Sequence, residues 1–303
     1  MSAGGEAVLR EKAAPGAGAL PPPKASGWSL GLRLVSAVLF IPLFLLLARA
    51  GGLVFFTFVA VEVTLGLLEF YRMMHRKGLA PFSRLGIVSA LGLLWVTLRP
   101  HTPLVDFVIT GGLLLTLALE LRRPELRQRV EDMAVTVFGV LYVGWLSAHF
   151  IMLRELPWRA GTAYAEGASY VALAFFLTWS CDSGAYTAGR IFGRNRPWTL
   201  ISPRKSVEGA IGGLASAMLA AFIARAWFAP YLKPWDAAAV GLLVGVFGQV
   251  GDLVESLLKR DVAHGDSSDF IPGHGGILDR FDSLYFAAPL VYYYLKVVVF
   301  GVP

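Results

Sequence analysis

Residues 133–153 read MAVTVFGVLYVGWLSAHFIML, and none of these 21 residues is Asp, Glu, Lys or Arg. A helix needs about 20 apolar residues to cross the hydrocarbon core of a bilayer. The whole chain supports the same interpretation, because 56% of its 303 residues are hydrophobic, only 16% are charged and the mean hydropathy is +0.61. Soluble domains carry about 25% charged residues. The sequence therefore predicts an integral membrane protein.

Eight further apolar runs lie on either side of this stretch, so the predicted fold is all-α and polytopic, with about nine transmembrane helices. The predicted spans are 28–49, 51–71, 84–99, 104–121, 133–153, 168–192, 208–228, 235–258 and 281–300. Residues 1–27 differ from them, because they are rich in Ala, Gly and Pro and cannot bury a hydrophobic core. We expect them to form a disordered cytoplasmic tail.

Positive charge is distributed unevenly over the loops of this topology. With nine spans, 20 of the 27 lysines and arginines fall on the side of the membrane that carries the N-terminus. Positively charged loops stay in the cytoplasm, so the N-terminus is predicted to be cytoplasmic. The net charge of +6 then faces anionic lipid headgroups. Because the basic residues are spread over membrane-flanking loops, we expect no binding of nucleic acid.

The chain divides into two predicted regions. Residues 28–153 contain the first five spans and are expected to be a transmembrane scaffold. Residues 154–303 contain spans six to nine and are expected to be the catalytic region, because two Gly-rich cytoplasmic loops follow its first and third spans. The carboxylates next to these loops lie at or near membrane depth. Such residues are costly to insert and are usually functional.

The end of the eighth span carries Asp252, Glu255, Ser256 and Lys259 at spacings i, i+3, i+4 and i+7. This spacing places all four side chains on one face of a helix. An acid, a hydroxyl and a base on one stripe of an apolar helix indicate the wall of a polar cavity. The alternative is an internal Asp–Lys pair that only holds helices together.

The loop that follows has Pro272 and three glycines, and Asp279 and Asp282 come after it at i and i+3. Glycine and proline predict an irregular loop, and the spacing directs both carboxylates the same way. Paired carboxylate oxygens suit Mg²⁺, which fills its other positions with water and substrate phosphates. Free backbone N–H groups at this helix start would favour phosphate. The alternative is an ordinary acidic first turn.

The last part of the sixth span carries Asp182, and the loop after the span runs through Ser202, Arg204 and Lys205 to Glu208. Ser-Pro followed by two cations and an acid predicts the entry of a helix. Cations beside the N–H groups of a helix start can hold a triphosphate. The alternative is a positively charged cytoplasmic loop with a helix cap.

These residues carry a resemblance to a known family. One block comprises Asp182 to Tyr186, Gly189-Arg190 and 202–213, and the other comprises Ser256, Lys259-Arg260, Asp266, 272–276 and 279–282. With these motifs in this order, the sequence resembles the CDP-diacylglycerol synthase (phosphatidate cytidylyltransferase) family. Two positions depart from the family signature. Gly265 stands where the family has Lys, and Ser206 stands where it has Thr.

The resemblance implies that CTP and phosphatidate give CDP-diacylglycerol and pyrophosphate, with Mg²⁺ as cofactor. It implies that Asp252, Asp279 and Asp282 hold Mg²⁺, or two metal ions, and that these residues and Lys259 are catalytic. The other implied substrate-binding residues are Asp182, Ser202, Arg204, Lys205, Ser256, Arg260, His274, Gly275, Gly276 and Arg280. The resemblance also implies a homodimer surrounded by membrane lipids. Because CTP is cytosolic, we expect the site to face the cytoplasm, in the inner membrane of a bacterial cell.

Other functional classes compete with this interpretation. A transporter also has intramembrane acids and broken helices, but it predicts inverted repeats and acids near mid-membrane, and the sequence has neither. A polyprenol kinase, or a synthase for archaeal-type ether lipids, would share the nucleotide site and differ in the lipid groove. A CDP-alcohol phosphotransferase is disfavoured because its signature of spaced Asp residues is absent.

Overall fold

The computed structural model describes residues 30–99, 104–124, 128–262 and 276–302, and these residues contain helices and no β-strand. The predicted all-α class is thus confirmed for this part of the chain, and the expected tail at 1–27 lies outside it. The α-helices are α1 (Leu30–Ala50), α2 (Gly52–Arg76), α3 (Ser83–Thr97), α4 (Val105–Glu120), α5 (Arg129–Gly139), α6 (Leu146–Ala160), α7 (Gly167–Phe192), α8 (Val207–Trp227), α9 (Pro234–Asp261) and α10 (Leu278–Tyr293).

Four helical segments of the described chain are long and apolar enough to cross a membrane. They are Gly52–Arg76, Arg129–Ala160, Val207–Trp227 and Pro234–Asp261, and two shorter apolar helices are Phe40–Ala50 and Ser83–Thr97. These segments support an integral membrane protein. The number of nine spans, the cytoplasmic N-terminus and the division into two regions stay predictions.

Two stretches of the described chain widen into π-helix. Val140–Trp145 joins α5 to α6, so Arg129–Ala160 is one continuous helical segment, and Tyr294–Val299 extends α10. The first stretch contains Gly144, where a Cβ would lie 2.6 Å from the Cβ of Ala90 on α3. The absence of a side chain therefore lets α3 approach the π-helical turn closely.

Helices α7 to α10 pack against one another and carry the predicted site. The contact between α7 and α8 depends on small residues. In lipid no hydrophobic effect drives apolar helices together, so close van der Waals packing has to stabilise their contact. A Cβ on Gly209 of α8 would lie 2.9 Å from the carbonyl oxygen of Ala185 and 3.2 Å from the Cα of Gly189, both on α7. On α9, a Cβ on Gly251 would lie 2.5 Å from the carbonyl oxygen of Asp282 on α10. Close packing thus fixes the helices that bear the acidic residues.

The turn between α1 and α2 is held by a buried arginine. The side chain of Arg154, on α6, is 0% exposed. Its guanidinium donates to the carbonyl oxygens of Ala48, of Arg49 at 3.2 Å and of Tyr164 at 3.1 Å. Two of these carbonyls belong to the last turn of α1, where they have no partner within the helix. Arg154 therefore caps α1.

Helix α2 also contacts α10 through a buried acid. The Tyr285 hydroxyl on α10 donates to Oε1 of Glu62 at 2.7 Å, and both residues are buried. The sequence places Glu62 inside the second predicted span, where its side chain must face protein or a cavity, and leaves its role open. In the structure it is a polar link between the predicted scaffold and the predicted catalytic region.

Candidate active site

The ammonium of Lys259 lies between two carboxylates. On α9, its Nζ is 2.9 Å from Oε1 of Glu255, one turn earlier, and it also forms an ion pair with Asp279 on α10. Glu255 is buried, and the Lys259 side chain is only 13% exposed. Both helical faces predicted from spacing therefore meet, and Lys259 joins them.

A second ion pair connects the loop before α8 to α9. Nζ of Lys205 lies 2.7 Å from Oδ2 of Asp252. The next residue, Ser206, caps α8, because its hydroxyl accepts a hydrogen bond from the N–H of Gly209 at 3.1 Å. A hydroxyl is what this cap requires, and Ser supplies it as well as Thr does. The departure from the family signature at Ser206 thus keeps its local structural role.

Three carboxylates face one another beside Lys205. Asp182 on α7 and Asp282 on α10 each interact electrostatically with Asp252 and with Lys205. The backbone N–H of Ser283 donates to Oδ1 of Asp282 at 2.5 Å. Three carboxyl groups beside one lysine bring several oxygen atoms together, and such oxygens are the ligands that a hard cation prefers.

In the structure, the three residues predicted to bind metal have different neighbours. Asp279 is paired with Lys259, whereas Asp252 and Asp282 lie near Asp182. Within the described residues, no group of three or more His, Cys, Asp or Glu side chains is placed so that it could hold a metal ion by itself. Protein ligands alone therefore do not complete a metal site here. The two-carboxylate arrangement in which Mg²⁺ takes its other ligands from water and phosphate remains open to test.

The N-terminus of α10 differs from the sequence-based expectation. The N–H groups of Ile277 and Leu278 donate to Oε1 and Oε2 of Glu69, each at 3.0 Å, and the N–H of Gly276 donates to Oδ2 of Asp279 at 3.2 Å. The prediction of free N–H groups that bind phosphate at this helix start was wrong for these three. Carboxylates satisfy them instead, as anions do at helix N-termini.

Asp279 precedes the last predicted span, and its surroundings affect its charge. Burial alone raises the pKa of its carboxyl group, but a hydrogen bond shared with Glu255, hydrogen bonds from Lys259 and Gly276, and the charge of Lys259 outweigh burial and lower the pKa below its ordinary value. Asp279 is therefore ionised at neutral pH. As an anion it keeps Lys259 in place.

Comparison with known proteins adds to this geometry. The profile of the cytidylyltransferase family matches residues 31–298, which is most of the chain. The chain belongs to the cytidylyltransferase family. A phosphatidate cytidylyltransferase of Synechocystis sp. is 36% identical over 291 residues, covering 88% of this chain and 97% of the relative. Phosphatidate cytidylyltransferases of Staphylococcus aureus and Staphylococcus epidermidis are each 33% identical, covering 86% of this chain and 96% of the relative.

The remaining predicted site residues are half-buried, exposed, or outside the part of the chain that the structure describes. Arg260 is exposed, and its Nε donates to the carbonyl oxygen of Ile201 at 3.2 Å, next to half-buried Ser202. Ser256 is half-buried, and Arg204 and Arg280 are exposed. His274 and Gly275, like the departure at Gly265, lie outside the described residues.

The sequence interpretation of Glu69 was an interfacial ion pair with Arg72 at the end of the second span, and it did not place Glu69 at the start of α10. Glu69 lies at the end of a predicted scaffold span, 208 residues before Ile277. The available signal was a carboxylate seven residues after Glu62 on the same apolar helix. Such spacing places both acids on one face, and nothing in the sequence shows that this face meets α10.

Proposed function

We propose that the protein transfers the cytidylyl group of CTP to phosphatidate, giving CDP-diacylglycerol and pyrophosphate. The observation that carries this proposal is the cluster in which Lys205 and Lys259 lie among Asp182, Asp252, Asp279 and Asp282. It occurs in a chain of the cytidylyltransferase family, and relatives that match almost their full length are named phosphatidate cytidylyltransferase.

The proposed reaction needs positioning and charge neutralisation more than it needs a protein nucleophile. A phosphate oxygen of phosphatidate attacks the α-phosphorus of CTP and forms a new P–O bond. The bond from the α-phosphorus to the bridging oxygen breaks, and pyrophosphate leaves with that electron pair. Because the lipid phosphate is already an anion, no Ser-His-Asp triad is required. Catalysis of such transfers comes from fixed charges around the phosphates.

The carboxylates fit Mg²⁺ by their chemistry. Asp252 and Asp282, with Asp182 beside them, supply the hard oxygen donors that Mg²⁺ prefers. Bound Mg²⁺, as one ion or two, supplies neutralisation of the nucleotide phosphates. Asp279 contributes by holding Lys259, and it remains a candidate ligand once phosphates draw Lys259 away.

The basic residues fit the phosphates. Lys205 and Lys259 lie within the cluster, and the side chains of Arg204, Arg260 and Arg280 are exposed near its edge. These cations would bind the triphosphate and the lipid phosphate, and Ser202 and Ser256 are further candidate contacts. Each binds anionic oxygens without transferring a proton.

The membrane sets the geometry of the two substrates. CTP is soluble and cytosolic, so we propose that the cluster faces the cytoplasm, with the protein in the inner membrane of a bacterial cell. The acyl chains of phosphatidate stay in lipid, and we propose that its phosphate reaches the cluster through an opening between helices. We also propose that the protein is a homodimer, which cross-linking in native membranes tests.

The decisive experiment follows label from CTP into lipid. Purified protein in detergent or vesicles is given α-labelled CTP, phosphatidate and Mg²⁺, and label in the organic phase is measured. We expect label that depends on phosphatidate and is lost in Asp279→Ala. No transfer of α-label, but transfer from γ-labelled CTP to a lipid alcohol, would instead identify a lipid kinase.

A further inference from the structure

We infer that Glu69 is a positioning residue for the proposed transfer, because its carboxylate holds the first turn of the helix that carries Asp279 and Asp282. The inference rests on the proposed function. Its structural basis is the pair of 3.0 Å hydrogen bonds from the N–H groups of Ile277 and Leu278 to the two oxygens of Glu69.

Helix α10 has no cap of its own at this point. The residue before it is Ile277, whose side chain cannot accept a hydrogen bond, and the first N–H groups of any helix lack partners within the helix. Ser, Thr, Asp or Asn normally supplies that partner locally. Here Glu69 supplies it from α2, so the start of α10 is defined by a residue far away in the sequence.

The placement of Glu69 suits this role. It is only 1% exposed, and burial of a carboxylate is costly unless charge-assisted hydrogen bonds compensate for it. Both oxygens of Glu69 accept such bonds at the positive end of the α10 dipole. Two turns earlier on α2, Glu62 accepts a hydrogen bond from the Tyr285 hydroxyl, so the same face of α2 holds α10 at two points.

The consequence for the site is geometric. Asp279 is the second residue of α10 and Asp282 is the fifth, so a change at the helix start moves both carboxylates. Asp279 in turn holds Lys259, and Asp282 faces Asp252. A displacement of about 1 Å in such groups can cost about 100-fold in rate.

Glu155 provides a matched control. Like Glu69, it is a buried glutamate that accepts a backbone N–H at a helix start, in this case that of Gly52 at the start of α2, at 3.3 Å. Gly52 and Glu69 are 17 residues apart on α2, so Glu155 lies about 25 Å from the site. Glu155→Gln should weaken folding about as much as Glu69→Gln without reaching the site.

The test compares Glu69→Gln, Glu69→Ala and Glu155→Gln with the wild type. One readout is hydrogen exchange of the peptide that covers 276–284, and the other is the Mg²⁺ concentration for half-maximal cytidylyl transfer. In Glu69→Gln we expect at least fivefold faster exchange there, a Mg²⁺ requirement raised several-fold and a rate about tenfold lower. Glu69→Ala should show larger changes, and Glu155→Gln should leave all three readouts within twofold of the wild type.

A purely structural role predicts a different outcome. Loss of folded protein lowers the apparent rate but leaves the Mg²⁺ requirement of the remaining folded enzyme unchanged. The inference is overturned if Glu69→Gln lowers only the thermal midpoint, with exchange at 276–284 and Mg²⁺ requirement as in the wild type. If the wild type transfers no label at all, the proposed function fails, and the exchange readout alone then decides whether Glu69 holds α10.

Discussion

The ammonium of Lys205 lies 2.7 Å from Oδ2 of Asp252, and this ion pair joins the loop before α8 to α9. The pair is partly exposed, with side-chain exposures of 24% and 38%. Exposed ion pairs add little stability, because water screens them. The ion pair of Lys205 therefore contributes little to stability, and we propose that Lys205 binds a phosphate instead.

We predict that Lys205→Met lowers the rate of cytidylyl transfer about 100-fold, because a cation aimed at the transferred phosphates is lost. Lys205→Arg should retain more activity, since its charge remains. The measurement is label transfer from CTP at several CTP concentrations. Lys233→Met is the control, because Lys233 is exposed and lies at the opposite end of α9. Full activity of Lys205→Met would remove Lys205 from the site.

Asp282→Asn should abolish transfer while the protein still inserts in the membrane. The amide keeps the size of the side chain but removes the negative charge that faces Asp252 and Lys205. If Asp282 helps to hold Mg²⁺, raising Mg²⁺ should recover little activity, because a neutral amide oxygen is a poorer ligand. The exposed Asp106 gives the control variant Asp106→Asn. Near-normal turnover of Asp282→Asn with Mg²⁺ present would refute the metal assignment.

The sequence predicted local features well. Apolar length alone located Val207–Trp227 at the predicted span 208–228, and helical spacing placed Glu255 and Lys259 on one face, where they form an ion pair. Both are properties of contiguous residues. A helix must satisfy its own backbone groups in lipid, so its position can be predicted from composition.

Contacts between helices could not be predicted in this way. The family resemblance implied that Asp252, Asp279 and Asp282 share one ligand set, whereas in the structure Asp279 forms an ion pair with Lys259. Which lysine meets which carboxylate depends on how α8, α9 and α10 pack. The capping of α10 by Glu69 is a stronger case, because the sequence separation is 208 residues and a local rule predicted free N–H groups.

The capping of α1 by Arg154 predicts a large loss of stability without a direct effect on the site. Arg154→Met leaves the carbonyls of Ala48 and Arg49 buried without the guanidinium, which should cost about 3 kcal/mol. The measurement is the unfolding midpoint in detergent by intrinsic fluorescence. Arg84→Met, at an exposed arginine, is the control and should change the midpoint little. An unchanged midpoint in Arg154→Met would show that this arginine is not needed for stability.

The close contact of α7 and α8 predicts that Gly209 tolerates no side chain. A Cβ there would lie 2.9 Å from the carbonyl oxygen of Ala185, and backbone atoms cannot move aside as a flexible side chain can. Gly209→Val should therefore push α8 from α7 and separate Asp182 from Lys205. We expect activity to fall at least tenfold, with a lower unfolding midpoint.

Gly111→Val is the matched control, because nothing lies within 4 Å of a Cβ added at that helical glycine. Valine has a slightly higher helix propensity than glycine, so both substitutions carry the same small gain of about a few tenths of a kcal/mol. The difference between the two variants then isolates the contact between the helices. Equal activity and equal midpoints would show that α7 and α8 can separate without disturbing the site, and the acidic cluster would then depend on α9 and α10 alone.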